Sequence, residues 1–380
     1  MRKGWEYKKL GEVCCPKSKI QRATKCFGGS DEILYIDISS IDNSVQEVNS
    51  ITSFTMSNAP SRAQQKVEYG DIIVSTVRPN LKNVAFIKQH DSNLVVSSGF
   101  CVLRTTDDIE RNYLFRYITS DIFTQHLMKL TTGANYPAVR DLDVRDSTIP
   151  LPPKSTQLAI VSELDKINEL IRLKKEQLKD FDNLAQSLFY EMFGDPVENE
   201  KGWEVKKLVE VSSLINGRAY KQNELLNEGK YKVLRVGNFF TNSNYYYSNL
   251  ELDDEKYCYK GDLLFAWSAS FGAFIWDEGK TIFHYHIWRV LFDEKNLNIY
   301  YYKYLLNTMT NFFMNDVHGI GMVHLTKAGM EQYNLPLPPL PLQHLFAQRI
   351  EQIAHQKAEV QKAITDLETL LASRMQYWFE

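Results

Sequence analysis

The chain has 380 residues, 44% of them hydrophobic and 12% aromatic, with a formal net charge of −3. That length exceeds one ordinary core and asks for two or three domains, and the composition is that of a folded protein. The charge excludes a uniformly basic nucleic-acid binder, so any DNA contact must come from a few positioned cations on shaped surfaces. Five cysteines (Cys14, Cys15, Cys26, Cys101, Cys258) form no CxxC pair. They argue against a disulfide framework or zinc site and for reduced thiols in the cytoplasm. The opening MRKGWEYKKL lacks the apolar run of a signal peptide, and no stretch reaches the roughly 18 apolar residues of a membrane helix.

In chain order, "KGWEYKKLGEV" at 3–13 comes first, and it returns as "KGWEVKKLVEV" at 201–211 with nine of eleven positions identical. Self-similarity at this range decides how the chain is cut. Trp5 and Trp203 repeat with this frame, which assigns both to the core. "YGDIIVSTVRPN" (69–80) sets a turn glycine and an aspartate before a β-rich apolar run, and "NLVVSSGFCVLR" adds strands. "YLFRYITSDIFTQHLMKL" carries helical spacing, predicting short helices near 110–129. A strap, "IPLPP" at 149–153, follows; its X-Pro steps force extended backbone. Beyond it Leu164, Ile167, Ile171, Leu178, Phe181, Ala185 and Leu188 form an a/d seam broken by Lys174. The seam predicts a helix of about 35 residues over 155–193, roughly 50 Å long.

The second half repeats the plan. "YKGDLLFAWSAS" (259–270) and "TIFHYHIWRVLF" read as strands, and "IYYKYLLNTMTNFFM" as short helices near 298–314. "LPLPPLPLQ" repeats the strap, and the two straps hold seven of the twelve prolines. Ile350, Ile353, Val360, Ile364, Leu367 and Leu371 form a second seam over 341–379, broken by Lys357 and Arg374. Each seam is too long for a domain of about 150 residues to cover, so the two helices are expected to pack on each other. The fold class is α+β: a domain at 1–153, a helix at 154–195, a domain at 196–339 and a helix at 340–380.

The tools of an enzyme are missing. There is no GxGxxG, and "FIWDEGKT" (274–281) has Phe274 where the first glycine of a phosphate loop belongs. The Asn/Asp-Pro-Pro-aromatic pocket of a base-flipping methyltransferase is absent. Asp71 and Asp262 follow turn glycines in equivalent places without a lysine at catalytic spacing, so turn capping is their expected role. His284 and His286, read as neighbours on one strand face, would need a third ligand to hold a metal. A hydrogen-bonding or DNA-facing role suits them better. No catalytic and no metal residue is assigned.

A scaffold kept twice with different contents suits a molecule that reads two unlike things at a set distance. The order "GWE-KKLGEV", "GD-IIVSTVRPN", "SSGF" and "LPLPP–Q–helix", laid out in tandem, resembles the specificity subunit of type I restriction–modification systems over essentially the whole chain. The resemblance implies that each α+β unit is a target-recognition domain reading half of a bipartite DNA site. It implies that the helices pair as an antiparallel coiled coil, separate the domains and dock two methyltransferase (M) subunits, and that restriction (R) subunits join. No cofactor is expected on this chain; S-adenosylmethionine, ATP and Mg2+ belong to the partners. A specificity subunit of a stand-alone adenine methyltransferase without a restriction partner would read the same. A nuclease or methyltransferase would turn over alone, and a bare coiled-coil scaffold would show no DNA preference.

Side chains suited to base edges gather in the segments that differ between the halves. "STVRPNLK" offers Arg78, Asn80 and Lys82, and "GANYPAVR" offers Asn135, Tyr136 and Arg140. "WSASFG" offers Trp267, Ser268, Ser270 and Phe271; "HYH" offers His284 and His286; "HGIGMVHLTK" offers His318, His324 and Lys327. Arginine and asparagine suit bidentate contacts with guanine and adenine in the major groove. Because these loops differ, the two half-sites should differ and the target should be asymmetric.

Overall fold

In each repeat the residues from the glutamate of KGWE onward form a strand that pairs antiparallel with its own proline strap. Glu6–Lys9 lies against Thr148–Leu151, and Glu204–Lys207 against Asn334–Leu337, with Glu6 opposite Leu151 and Glu204 opposite Leu337. Each pair is a two-stranded sheet, where a proline without N–H disrupts no larger ladder. The computed structural model describes residues 4–133, 136–241, 244–268, 270–315 and 325–380. Two compact units result: Met1–Lys175 with Ala363–Glu380, and Glu176–Lys362.

Both units build two sheets in the same order, one of them with an added edge strand in the second unit. In the first unit one sheet runs Thr52–Thr55, Glu32–Ile36, Leu94–Ser97, Ala63–Lys66, and the other Phe100–Leu103, Ile72–Ser75, Val84–Phe86. In the second they run Tyr246–Ser248, Tyr231–Leu234, Thr281–Phe283, Tyr257–Cys258, and Ser212–Asn216, Ile287–Phe292, Leu263–Ser268, Ser270–Ile275. The "GD" turns launch the central strands. Gly70 and Gly261 have φ of +92° and +96°, a region open to glycine without a Cβ penalty. Asp71 and Asp262 cap these turns, accepting from the N–H groups of Glu68 (2.9 Å) and Tyr259 (2.8 Å). Asp71 is also buried and takes a bidentate pair from Arg104, both bonds 2.8 Å.

The short helices fall where expected, at Arg111–Ile118, Asp121–Leu130, Ile299–Thr308 and Thr310–Asn315. The long helices, Lys154–Phe193 and Leu340–Phe379, have 40 residues each, or about 60 Å at 1.5 Å per residue. They begin one residue before the expected 155 and 341, directly after the straps, and end at 193 and 379 as expected; Pro341 sits in the first turn, where its missing N–H had no partner to lose.

The helices pair antiparallel within each unit. In the first, Ile160, Val161 and Leu164 share a core with Phe379, and Glu163 accepts from Arg374. In the second, Ala185, Leu188 and Phe189 share a core with Phe346, Ile350 and Ile353, and Lys357 meets Asp182 at 2.5 Å. Lys357 and Arg374, the breaks in the second seam, thus each make an ion pair to the other helix, as Glu368 does with Lys175 at 2.9 Å.

A buried glutamine locks each strap to its unit. Gln157 donates to Pro152 O (2.8 Å) and accepts from Glu110 N (2.8 Å). Gln343 donates to Pro338 O (2.8 Å) and accepts from Asn298 N (2.8 Å). Tyr113 and Tyr301 each donate to a strap carbonyl, of Pro150 and Pro336, at 2.7 Å. Trp5 and Trp203 are half-buried rather than core residues, because each closes the end of a long helix. Trp5 stacks on Trp378 at 6.3 Å, and the Trp203 indole donates to Phe193 O at 2.8 Å. Among the described residues no helix is long and apolar enough to cross a membrane.

Candidate nucleic-acid interface

In the first unit three loops meet at the ends of the strands. Thr76 donates its N–H and its hydroxyl to Gly99 O, both at 2.8 Å, joining the loop after Ile72–Ser75 to the turn at 97–99. Val139 N donates to Thr76 O (2.9 Å) and Arg78 N to Pro137 O (2.7 Å), which brings in the segment at 136–140. Gly133, at φ +91°, lies so close to Tyr136 that a Cβ would stand 3.1 Å from its carbonyl oxygen.

These bonds set Arg78 over Tyr136, the guanidinium carbon 4.6 Å from the ring centre. Arg78 (φ 49°) and Lys82 (φ 51°) are both left-handed and flank the short turn Pro79–Leu81. Two non-glycine residues held there store strain, which concentrates at functional sites. Asn80 is exposed. Not every predicted cation is free: Lys82 is paired with Asp121 at 2.5 Å. Arg140 grips Asp143 at 2.6 Å, which holds that carboxyl below its usual range. Arg78 has no carboxylate within ion-pair distance among the described residues.

The second unit places a different set of residues on the same frame. Trp267 N donates to His286 O at 3.1 Å, the counterpart of Thr76 on Gly99. His284, Tyr285 and His286 form a turn between Thr281–Phe283 and Ile287–Phe292, not the strand face expected. The alternation H-Y-H resembles a strand, but the chain is passing from one sheet to the other. Burial, His286 and Arg235 together push His284 down to about 4. The Trp267 indole donates to Tyr285 O (3.0 Å) and stacks on Trp288 at 5.2 Å. A cavity of about 360 Å³ gathers Trp267, His286 and Lys327 with Asn216, Tyr285 and Thr326. Lys327 lies 3.7 Å from Glu331.

Other expectations are placed differently. Ser268 is buried and Phe271 packs against the core of the unit, so both serve the Leu263–Ser268/Ser270–Ile275 hairpin rather than its exposed rim; Ser270 is half-buried. Asn135, His318 and His324 lie outside the described residues. Ser97, Ser98 and Gly99, the "SSGF" of the first half alone, carry no base-reading side chain in the sequence and enter the site only through the fold. Asn216, Arg218 and Arg235 sit in segments without periodic pattern and gave no signal. Among the described residues no group of three or more His, Cys, Asp or Glu could hold a metal. All five cysteines are free, and burial pushes Cys14 and Cys258 up to about 12, which makes them packing residues.

Two α+β units with unlike loops on one frame, each tied to a pair of antiparallel helices, define a tandem recognition protein. The sequence matches the family described as Type I restriction modification DNA specificity domain twice, at residues 2–180 and 200–368. It is 24% identical over 324 residues to the Type I restriction enzyme MjaIX specificity subunit of Methanocaldococcus jannaschii, covering 78% of this chain and 74% of that one. A chain solved in work on complex assembly and conformational transition of the type I R-M system is similar with a TM-score of 0.71 and 27% identity, over 100% of this chain and 98% of that one. The type I restriction–modification S subunit from M. genitalium, 12% identical, has a TM-score of 0.51 over 99% of this chain and 96% of its own, a likeness of fold alone. The chain belongs to the family of type I restriction–modification specificity subunits.

Proposed function

We propose that each unit reads one half of a bipartite, asymmetric DNA target and that the paired helices fix the gap between the halves. The observation that carries this is the shared junction of strand ends, Thr76 on Gly99 and Trp267 on His286, dressed with unlike side chains. A common frame with different contents suits two readers of different sequence. Exposed leucines on the first long helix (Leu158, Leu170, Leu173, Leu184) support docking of two M subunits there, with R subunits joining the assembly. The chain itself is non-catalytic and cytoplasmic, and S-adenosylmethionine, ATP and Mg2+ act on the partners. Methylation or hydrolysis by the purified chain alone would overturn that assignment.

The helices are tested by insertion. Four residues after Lys174 advance a helix by ~6 Å and rotate it by about 400°, returning the seam to within ~40° of register. On DNA rising about 3.4 Å per base pair, the gap should lengthen by one or two pairs while both half-sites stay the same. Two inserted residues rotate the seam by about 200° and should abolish assembly. Methylome sequencing of cells carrying each variant decides it: changed bases, or an unaltered gap in an active complex, means the helices do not set the spacing.

A further inference from the structure

We infer that Arg235 is the guanine-reading arginine of the second unit, a specificity-determining residue on the rim of the site. The inference rests on the reading of each unit as a DNA half-site reader. Arg235 directly follows the strand Tyr231–Leu234, which pairs in parallel with Thr281–Phe283, Leu234 opposite Phe283. His284 N donates to Leu234 O at 2.9 Å, so Arg235 leaves its strand beside the His284–Tyr285–His286 turn. Its guanidinium carbon lies 4.6 Å from the centre of the Tyr246 ring. Among the described residues it has no carboxylate partner, whereas nearby Arg218 is held bidentately by Glu224 at 2.9 and 2.8 Å.

Two features favour a base over a backbone phosphate. A guanidinium stacked on an aromatic ring is a fixed planar fork, the shape that guanine O6 and N7 require, while a phosphate accepts any cation. The arrangement also repeats that of Arg78 on Tyr136 in the first unit, where the same 4.6 Å separation is found and again no carboxylate pairs. The position itself is chemically distinct in the two halves. In the first unit the residue after Glu32–Ile36, beside the turn at 97–99, is Asp37, whose carboxylate is engaged by Ile38 N at 2.8 Å.

The test uses the assembled complex and duplexes carrying each substitution in the mapped target. R235A should lower discrimination at one G·C pair of a single half-site on the order of 10- to 100-fold, and leave the other half-site unchanged. R235K, which keeps the stem, the charge and the backbone geometry, should fail to restore it. R78A is run in parallel and should relax one pair of the opposite half-site. Uniform weakening on all sequences that lysine repairs would make Arg235 a phosphate contact and overturn the inference, as would unaltered discrimination while R78A acts. If neither variant changes discrimination at any pair, the half-site reading itself fails.

Discussion

Gln157 and Gln343 make the same bonds at the same distances in the two units, and Tyr113 and Tyr301 reach the same strap carbonyl. The turns Ser97–Gly99 and His284–His286 occupy the same place between the same two sheets and share no residue. Duplication has been kept where a buried polar group has one geometry that satisfies it, and lost in turns whose backbone is held but whose side chains, buried Ser97 apart, reach solvent at least in part. Burial explains the difference: an orphaned buried donor or acceptor costs about 1–3 kcal/mol, whereas an exposed loop position is close to neutral.

The largest departure from equivalence inside the frame is the aspartate after each turn glycine. Asp71 is 1% exposed and bound by Arg104, while the Asp262 side chain is 26% exposed and lies 3.7 Å from Arg289. Arg104→Ala strands a buried carboxylate and should destabilise the first unit by about 3–5 kcal/mol. Arg289→Ala leaves a solvated one, breaks a 2.8 Å bond to Tyr257 O and should cost about 1 kcal/mol. Denaturant unfolding of both variants checks this; equal losses would mean the two turns are held alike.

The glutamine clamps should behave as a matched pair. Gln157→Ala and Gln343→Ala each leave buried backbone groups without partners and should each cost about 2 kcal/mol. Gln343, which also donates to Asn296 O at 2.9 Å, should be the slightly costlier loss. Thermal melts of the two variants side by side measure the match, and a clear gap between them would show that the straps are not equivalent.

These clamps mark how far the sequence could be read. "PLPP" with a glutamine four residues on is legible twice, as are the seams, the turn glycines and the duplicated KGWE segment, because each is a local pattern with a local cause. What Gln157 holds was not visible: its partners Glu110 and Pro152 meet only once the short helix has packed on the strap. The site was legible in part for the same reason. Arg78 and Tyr136 both stand in segments whose residue types suit base edges, yet their contact depends on Arg78 N finding Pro137 O across 59 positions of chain. Arg235 carried no motif at all, since its environment comes from a parallel strand pairing that no spacing announces. The H-Y-H alternation misled in the opposite direction, because period two marks a strand only when the backbone continues straight.

The smallest expected effect separates the two turns by pH. His284 is pushed from its ordinary value near 6.5 down to about 4, first by burial and then by His286 and Arg235; the equivalent residue of the first unit is Ser97, which does not titrate. A histidine whose folded value is depressed stays neutral in the native state while the unfolded chain takes up the proton. The stability it permits is therefore full above about 6.5 and is lost as pH falls towards 4. Solvent reaches part of the ring, so the loss is discounted from the full shift to about 1 kcal/mol. Carboxylates titrate in the same window, so wild type is compared with His284→Ser, which copies the first unit. The variant should gain about 1 kcal/mol relative to wild type between pH 7 and pH 4, read from the fluorescence of the neighbouring Trp267–Trp288 stack on unfolding. A difference that does not change with pH would mean that His284 takes up its proton without leaving its place in the turn.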